Sequence, residues 1–366
     1  MMKNFFALAV MWAFAVGVLS VSAQTGGTAL TNQTNQSLAG LLPASDGAVS
    51  VNMQRLLSDA MPQILSGNQP LLADVLSHID DVKSKTGIDL RQFEQIAVGI
   101  SAKRGASRKF DFEPIVLARG TFSAGALVAL ARTAANGKYR EERIGDRSVY
   151  VFTAKNEVGR NQSQIGGKPS VLLPGAGLVV SYDFMKMMTN ELAVTVLDNN
   201  TLAVGSLSRI RQMLGTGARV GGDVLAAVNR KPNALLNFGL KMPAGFSQFI
   251  NLGNDEISKN LDAVRFVSGA ADVSDGSATI SLAAKTVTPE QAQSLHEQLE
   301  AFQMLGKSFL GGAKGADKQV YARLVNDLKI ARAGGEVTLD AQIAQSDINV
   351  LLDLLNRKKV APVSSK

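Results

Sequence analysis

The sequence predicts an α+β fold of two similar domains, each an antiparallel sheet with helices packed on one face, and three observations carry that reading. Short strand-like runs come in pairs around tight turns. Lys138 to Phe152 folds about Gly145-Asp146, and Leu192 to Gly205 folds about Asp198-Asn199-Asn200, residues that tolerate positive φ. The second pair runs directly into a helix, because Ser206 is a good cap and Leu207, Ile210 and Leu214 follow at helical spacing. The same order of strand, turn, strand and Ser-capped helix returns near the C-terminus: Leu328 to Arg332, Glu336 to Ile343, then Ser346 ahead of Asp347 to Leu355. That recurrence reads as an internal duplication. A doubly wound parallel sheet is excluded, since parallel neighbours require a crossover between every two strands.

Ahead of the domains, residues 1–23 read as a secretory signal peptide. Lys3 is followed by the apolar run Phe5 to Leu19, and Val21-Ser22-Ala23 offers small residues for cleavage before Gln24. Removing Lys3 with the leader lowers the formal net charge from +7 to +6. No later stretch is apolar for long enough to span a bilayer, so no transmembrane segment is expected in the mature chain. The chain is thus expected to be exported, periplasmic or extracellular. With 0 cysteines it has no disulfide and no thiolate site, although that compartment permits bridges.

Residues 24–45, rich in Gly, Thr, Asn, Gln and Ser, are expected to be a disordered tether. The first domain spans residues 46–216: a strand from Gly47, helices from Gln54 to Leu65 and Leu71 to Thr86, strands near Gln95 to Ala102 and Pro114 to Gly120, and a Ser123-capped helix to Ala135. Its first hairpin is followed by an insertion, residues 155–191, whose early part is Gly- and Pro-rich and reads as a loop. Gly215 to Gly222 resembles a phosphate loop only superficially, because its glycines miss the G-x-G-x-x-G spacing and it follows a helix; it reads as a helix stop and linker. The second domain, residues 217–356, carries a strand from Asn233 to Gly239, a helix from Asp255 to Val264, a hairpin about Ser274-Asp275-Gly276 and a long helix opened by Thr288-Pro289. Residues 357–366 form a basic tail.

The segment Gly145 to Tyr150, a Gly-x-x-Val-Tyr pattern with one extra residue, and the run Leu197-Asp198-Asn199-Asn200-Thr201-Leu202-Ala203-Val204-Gly205-Ser206 entering a helix resemble an uncharacterised family of exported bacterial proteins carrying a domain of unknown function. The resemblance covers Asp46 to Leu214 best. It implies an envelope-facing α+β protein and carries over no catalytic residues.

The chemistry of the chain is sparse. His78 and His296 lie on separate predicted helices without a partner at ligand spacing, so neither a metal site nor a Ser-His-Asp triad is expected. No cofactor motif is present, and export with few aromatics disfavours nucleic acid as a partner. The acidic pairs Asp80-Asp81, Glu141-Glu142 and Asp255-Glu256 are the remaining groups for a hydrolase, each set beside basic residues. Arg140, Arg143 and Arg147 on the first hairpin are candidate anion-binding residues. Phe184, Met185, Met187 and Met188 are candidates for an adaptable lid over a lipophilic ligand. The functional expectation is a non-enzymatic exported envelope protein, a binding or scaffolding module. Its partner is expected to be an anionic envelope surface or, as a carrier or sensor, a lipophilic small molecule.

Overall fold

The computed structural model describes residues 37–104, 110–153, 162–165, 168–172, 179–181, 191–243, 262–312 and 315–360. The predicted leader and the first part of the predicted tether lie outside these. A 3-10 turn at Leu38–Leu41 precedes β1 (Gly47–Asn52). Helix α1 starts at Met53–Arg55, passes through a π turn at Leu56–Ala60 and ends at Met61–Ile64. It is followed by α2 (Gln69–Thr86), β2 (Phe93–Arg104), β3 (Phe110–Gly120), α3 (Ala124–Ala134), β4 (Tyr139–Ile144) and β5 (Arg147–Thr153). The insertion contributes β6 (Gln162–Ile165), β7 (Lys168–Leu172) and β8 (Val179–Ser181), which form their own antiparallel sheet where a loop was expected. Then come β9 (Glu191–Asp198), β10 (Thr201–Gly205), α4 (Leu207–Leu214), α5 (Gly222–Val228), β11 (Leu236–Lys241), β12 (Val264–Ser274) and β13 (Ser277–Thr286). The chain closes with α6 (Pro289–Leu310), α7 (Ala316–Asp327), β14 (Lys329–Ala333), β15 (Glu336–Ala344) and α8 (Gln345–Val360). The predicted helix from Asp255 falls outside the described residues except for its last turn.

Local signals explain most boundaries. Ser123, Ser206 and Thr288 accept hydrogen bonds from the N–H groups of Ala126, Arg209 and Gln291, and Gln291 Oε1 accepts from the Thr288 N–H to complete a capping box. Gly87 ends α2 at φ 75°, a left-handed conformation that costs glycine nothing. Asp275 and Gly276 take φ 52° and 70°, the two left-handed positions of a type I′ hairpin turn. The Asp198 to Thr201 turn instead contains no positive φ and places a register shift between Thr201 and Leu202. Ser346 is not a cap: α8 begins at Gln345, whose Nε2 donates to the Ile64 carbonyl, while buried Asp347 accepts from Arg323. The helix then runs on to Val360, through the start of the predicted basic tail.

Both halves share one sheet. Twelve strands run in the order β14-β15-β13-β12-β11-β1-β2-β3-β10-β9-β5-β4, all neighbours antiparallel. The two separate sheets expected from the sequence are fused because β1 pairs β2 on one side and β11 on the other, setting Gly47 opposite both Ile100 and Leu240. Helices also cover both faces, not one. On one face Ala97, Leu117, Val151 and Ala203 pack under Ile210 and Met213 of α4 and Val224 and Val228 of α5. On the other, Ala118, Val194, Leu202 and Val204 pack under Ala124 and Val128 of α3. Met61, Ile79 and Leu352 from α1, α2 and α8 close a further cluster with Val273.

The end of the predicted tether belongs to this core. Leu38, Ala39 and Leu42 are buried with α4 and α5, because three large or medium apolar groups within five residues outweigh the polar composition around them. Arg209, 1% exposed, ties the segment down by donating to the Ala44 carbonyl at 2.8 Å and to Ser45 Oγ at 2.7 Å. Val220 N–H bonds the Leu42 carbonyl, so the predicted linker is a packed junction.

Two outcomes follow from this arrangement. Because α5 and β11 complete the core and sheet of the first half, residues 46–216 and 217–356 expressed separately will each lack a cooperative thermal transition; sharp two-state melting of either piece by circular dichroism would contradict the shared sheet. Arg209→Ala will lower stability by about 3 kcal/mol, since it strips charge-assisted bonds from the Ala44 carbonyl and the buried Ser45 hydroxyl and empties a buried site, and Arg209→Lys will recover part of that in chemical denaturation.

Candidate functional site: an apolar row across the sheet

Antiparallel register aligns one residue from every strand in a single row. On the face covered by α3 the row reads Glu141, Tyr150, Val194, Val204, Val116, Val98, Val49, Phe238, Gly269, Leu282, Leu339 and Ile330. Only the edge residue is charged. Val194, Val204 and Val116 are buried, whereas every member from Val98 onward is half-buried. The row one residue away, on the opposite face, changes character at the seam: Leu117 and Ala97 give way to Ser50, Asn237, Ala270, Ser281 and Asp340. Asn237 is buried there and satisfied by the backbone of Lys231 at 2.9 Å. Beyond β1 this second row is mostly polar, and its face keeps apolar packing chiefly beside α5, where Phe266 meets the core.

Gly269 shapes the middle of the apolar row. A Cβ at this position would lie 2.6 Å from Phe238 Cε1 and 2.8 Å from Leu282 Cδ2, so the missing side chain lets both neighbours close over the strand. Leu240 and Val267 flank the row on one side, and Val51 and Leu236 on the other, all half-buried. The alternation within each strand was readable in the sequence, but the row was not, because pairing of β1 with β11 is what joins Val49 to Phe238.

The arginine candidates are occupied by acids or carbonyls. Arg140 forks onto Glu191 at 2.6 and 2.9 Å and also reaches Glu142 at 3.1 Å. Glu142 takes a second bond from Arg211 at 2.5 Å. Arg147 donates to the carbonyls of Val196 and Leu197, and Arg143 is exposed. The structure gathers the hairpin arginines near one sheet edge but sets Arg140 against counter-charges, so it forms a guarded edge more than an anion pocket. A recess of about 250 Å³ beside it, lined by Ala44, Arg211, Gln212, Gly215, Gly217 and Ala218, is smaller than ordinary ligand clefts.

The remaining candidates are dispersed. Asp80 pairs with Arg91 and Asp81 with Lys85 on the surface of α2. His78 and His296 each sit four residues from an acid on their own helix, Asp74 and Glu300. Among the described residues no group of His, Asp and Glu could hold a metal ion. Phe184, Met185, Met187 and Met188, like Asp255-Glu256, lie outside the described residues. No described helix is long and apolar enough to cross a membrane.

Hydrogen bonds from Arg211 and Arg140 hold the Glu142 carboxyl below its ordinary value of 4.5, and Arg140 does the same to Glu191. A depressed folded-state value means the stabilisation is present above the unfolded value and is lost as pH falls through the folded one. The double change E142Q/E191Q will therefore lower Tm slightly at neutral pH, and the gap to the parent will close as pH drops below 4.5. A gap that stays constant down to acid unfolding would disprove the pairing.

The chain matches no protein-family model and no curated protein in sequence. In fold it is similar to solved structures of TP0453. One, crystal form I, aligns with TM-score 0.39 and 9% identity over 88% of this chain and 98% of that one. Another, crystal form III, gives TM-score 0.40 and 10% identity over 88% of this chain and 100% of that one.

Proposed function

We propose that this protein is an exported, non-enzymatic binding module of the bacterial envelope, and that it holds its ligand through the apolar row from Val98 to Leu339. Export is supported by the leader sequence. Binding is supported by one observation above all: a register row that stays apolar across the seam while its side chains are only half-buried. A sheet face that had only to pack would be covered as Val194 and Val204 are; a ligand surface needs apolar groups held rigid and still reachable. The described carboxylates of the acidic pairs are surface groups, and three of the four are tied to Arg or Lys, which supports binding over hydrolysis.

The ligand class that suits this row is a lipophilic small molecule, the carrier or sensor reading. Contacts along Val49, Phe238 and Leu282 are dispersive and non-directional, so they select for apolar length more than for a head group. Anionic recognition through Arg140 is disfavoured, because its guanidinium already serves two carboxylates.

Native mass spectrometry of the protein purified from its own envelope will show retained mass in the lipid range. Leu282→Asn, which places an amide in the middle of the row, will reduce that retained fraction by about tenfold. A bare polypeptide mass, with no rise in Tm on adding fatty acids or phospholipids, would eliminate the carrier and leave a scaffold that binds another macromolecule.

A further inference from the structure

We propose that the C-terminal end of α6 docks on an anionic lipid surface. This surface is separate from the apolar row and shares no residue with it. The helix is fastened to the body on one side. A Cβ at buried Gly306 would lie 3.1 Å from Val325 of α7, and Gln303 Nε2 donates to the carbonyls of Val325 and Leu328. That anchoring leaves Phe302, Met304, Leu305 and Phe309 exposed by 37, 69, 50 and 67%. The outward residues of the first half include Glu290, Gln293, Ser294 and Glu297. The apolar exposure is therefore confined to the last turns.

The size of the patch identifies its partner. Phe302, Leu305 and Phe309 share one stripe of the helix, with Met304 about 100° round from Leu305; together they present roughly 400 Å², within the range of the largest apolar patch on a monomer, which is often functional. A stable dimer needs about 800 Å² from each copy, so self-association through this patch is undersupplied. A bilayer interface makes no such demand, because it accepts a shallow wedge of Phe, Leu and Met between head groups without a matching surface. Charge points the same way. Lys307 is exposed in the last turn and Lys318 in the first turn of α7, beside half-buried Asp317, whereas the exposed acids of α6, Glu290, Glu297 and Glu300, all come earlier along the helix, Glu300 one turn before Met304. A helix with its basic and apolar groups at one end and its acids nearer the other meets an anionic surface by its tip.

The test uses the chain from Gln24, the form expected after export, which has no tryptophan of its own, so that an introduced indole is the only one, with vesicles of phosphatidylcholine and phosphatidylglycerol in equal parts. L305W emission will shift to the blue on adding vesicles, and Q293W emission will not. The double change L305E/F309E will cut the vesicle-bound fraction by about tenfold in sedimentation, with L305S/F309S as a second pair should the charged pair melt early. Unchanged L305W emission, or equal sedimentation of the parent and both double variants, would overturn the proposal. So would a concentration-dependent dimer that L305E/F309E dissolves while the parent ignores vesicles, which would assign the patch to a second copy. Because Leu282 is untouched, lipid retention in native mass spectrometry reports on the sheet row whatever the vesicles show.

Discussion

The pairing of β1 with β11 is the constraint on which the rest of the architecture depends. Five register pairs, from Gly47 with Leu240 to Val51 with Leu236, stitch the two halves into one sheet. Backbone donors and acceptors of a central strand have no alternative partner except water, so opening this seam would expose a full ladder on each side. The packing follows the same logic. Arg209 and Val220 hold the segment before β1, and α5, from the second half, covers strands of the first. Sheet, strap and helix are three attachments of one joint.

The seam also explains why the two faces differ. On the first-half side both faces are sealed, by α4 and α5 on one and by α3 on the other, and their residues read as nearly continuous apolar strands. Past β1 the row of Ser50, Asn237 and Asp340 turns mostly polar, and apolar cover on that face is confined to α5 over β11 and Phe266. The half-buried row lies on the face where Val273, Val337 and Ile343 are buried and where α1, α2 and α8 pack, and that cover leaves the row itself partly exposed. Edge strands β4 and β14 end the sheet with Arg140, Glu142, Lys329 and Arg332, charges that discourage further strand addition.

Signals that act within a few residues were legible in the sequence. The Ser206 and Thr288 caps, the Asp275-Gly276 turn and the β14–β15 hairpin about Gly334 all depend on local chemistry, and their elements fall within a residue or two of expectation. What failed is non-local. Nothing in the alternation of Ala48 and Val49 says which strand lies on the far side of β1, so one sheet was read as two. Ser346 carried the right residue type for a cap, but the Arg323 partnership of Asp347 and the reach of Gln345 to Ile64 moved the helix start. Leu38 and Leu42 were lost in a polar segment because composition averages over the few side chains that matter. Of the candidate site, the arginines were legible as positions but not as partners of Glu142 and Glu191, which lie in different strands.

The fold locks only when its two halves are joined. The seam places that lock late in the sequence: β1 is made early, yet its second neighbour arrives only with Leu236 to Lys241. Closing so long a loop is slow, and until it closes the first half lacks both α5 and a paired edge on β1. Translation can therefore run ahead of folding for most of the chain's synthesis. The same delay leaves the apolar strand of Ala48, Val49 and Val51 with an open edge until β11 has been made, the interval in which the chain is most prone to pair with the wrong strand.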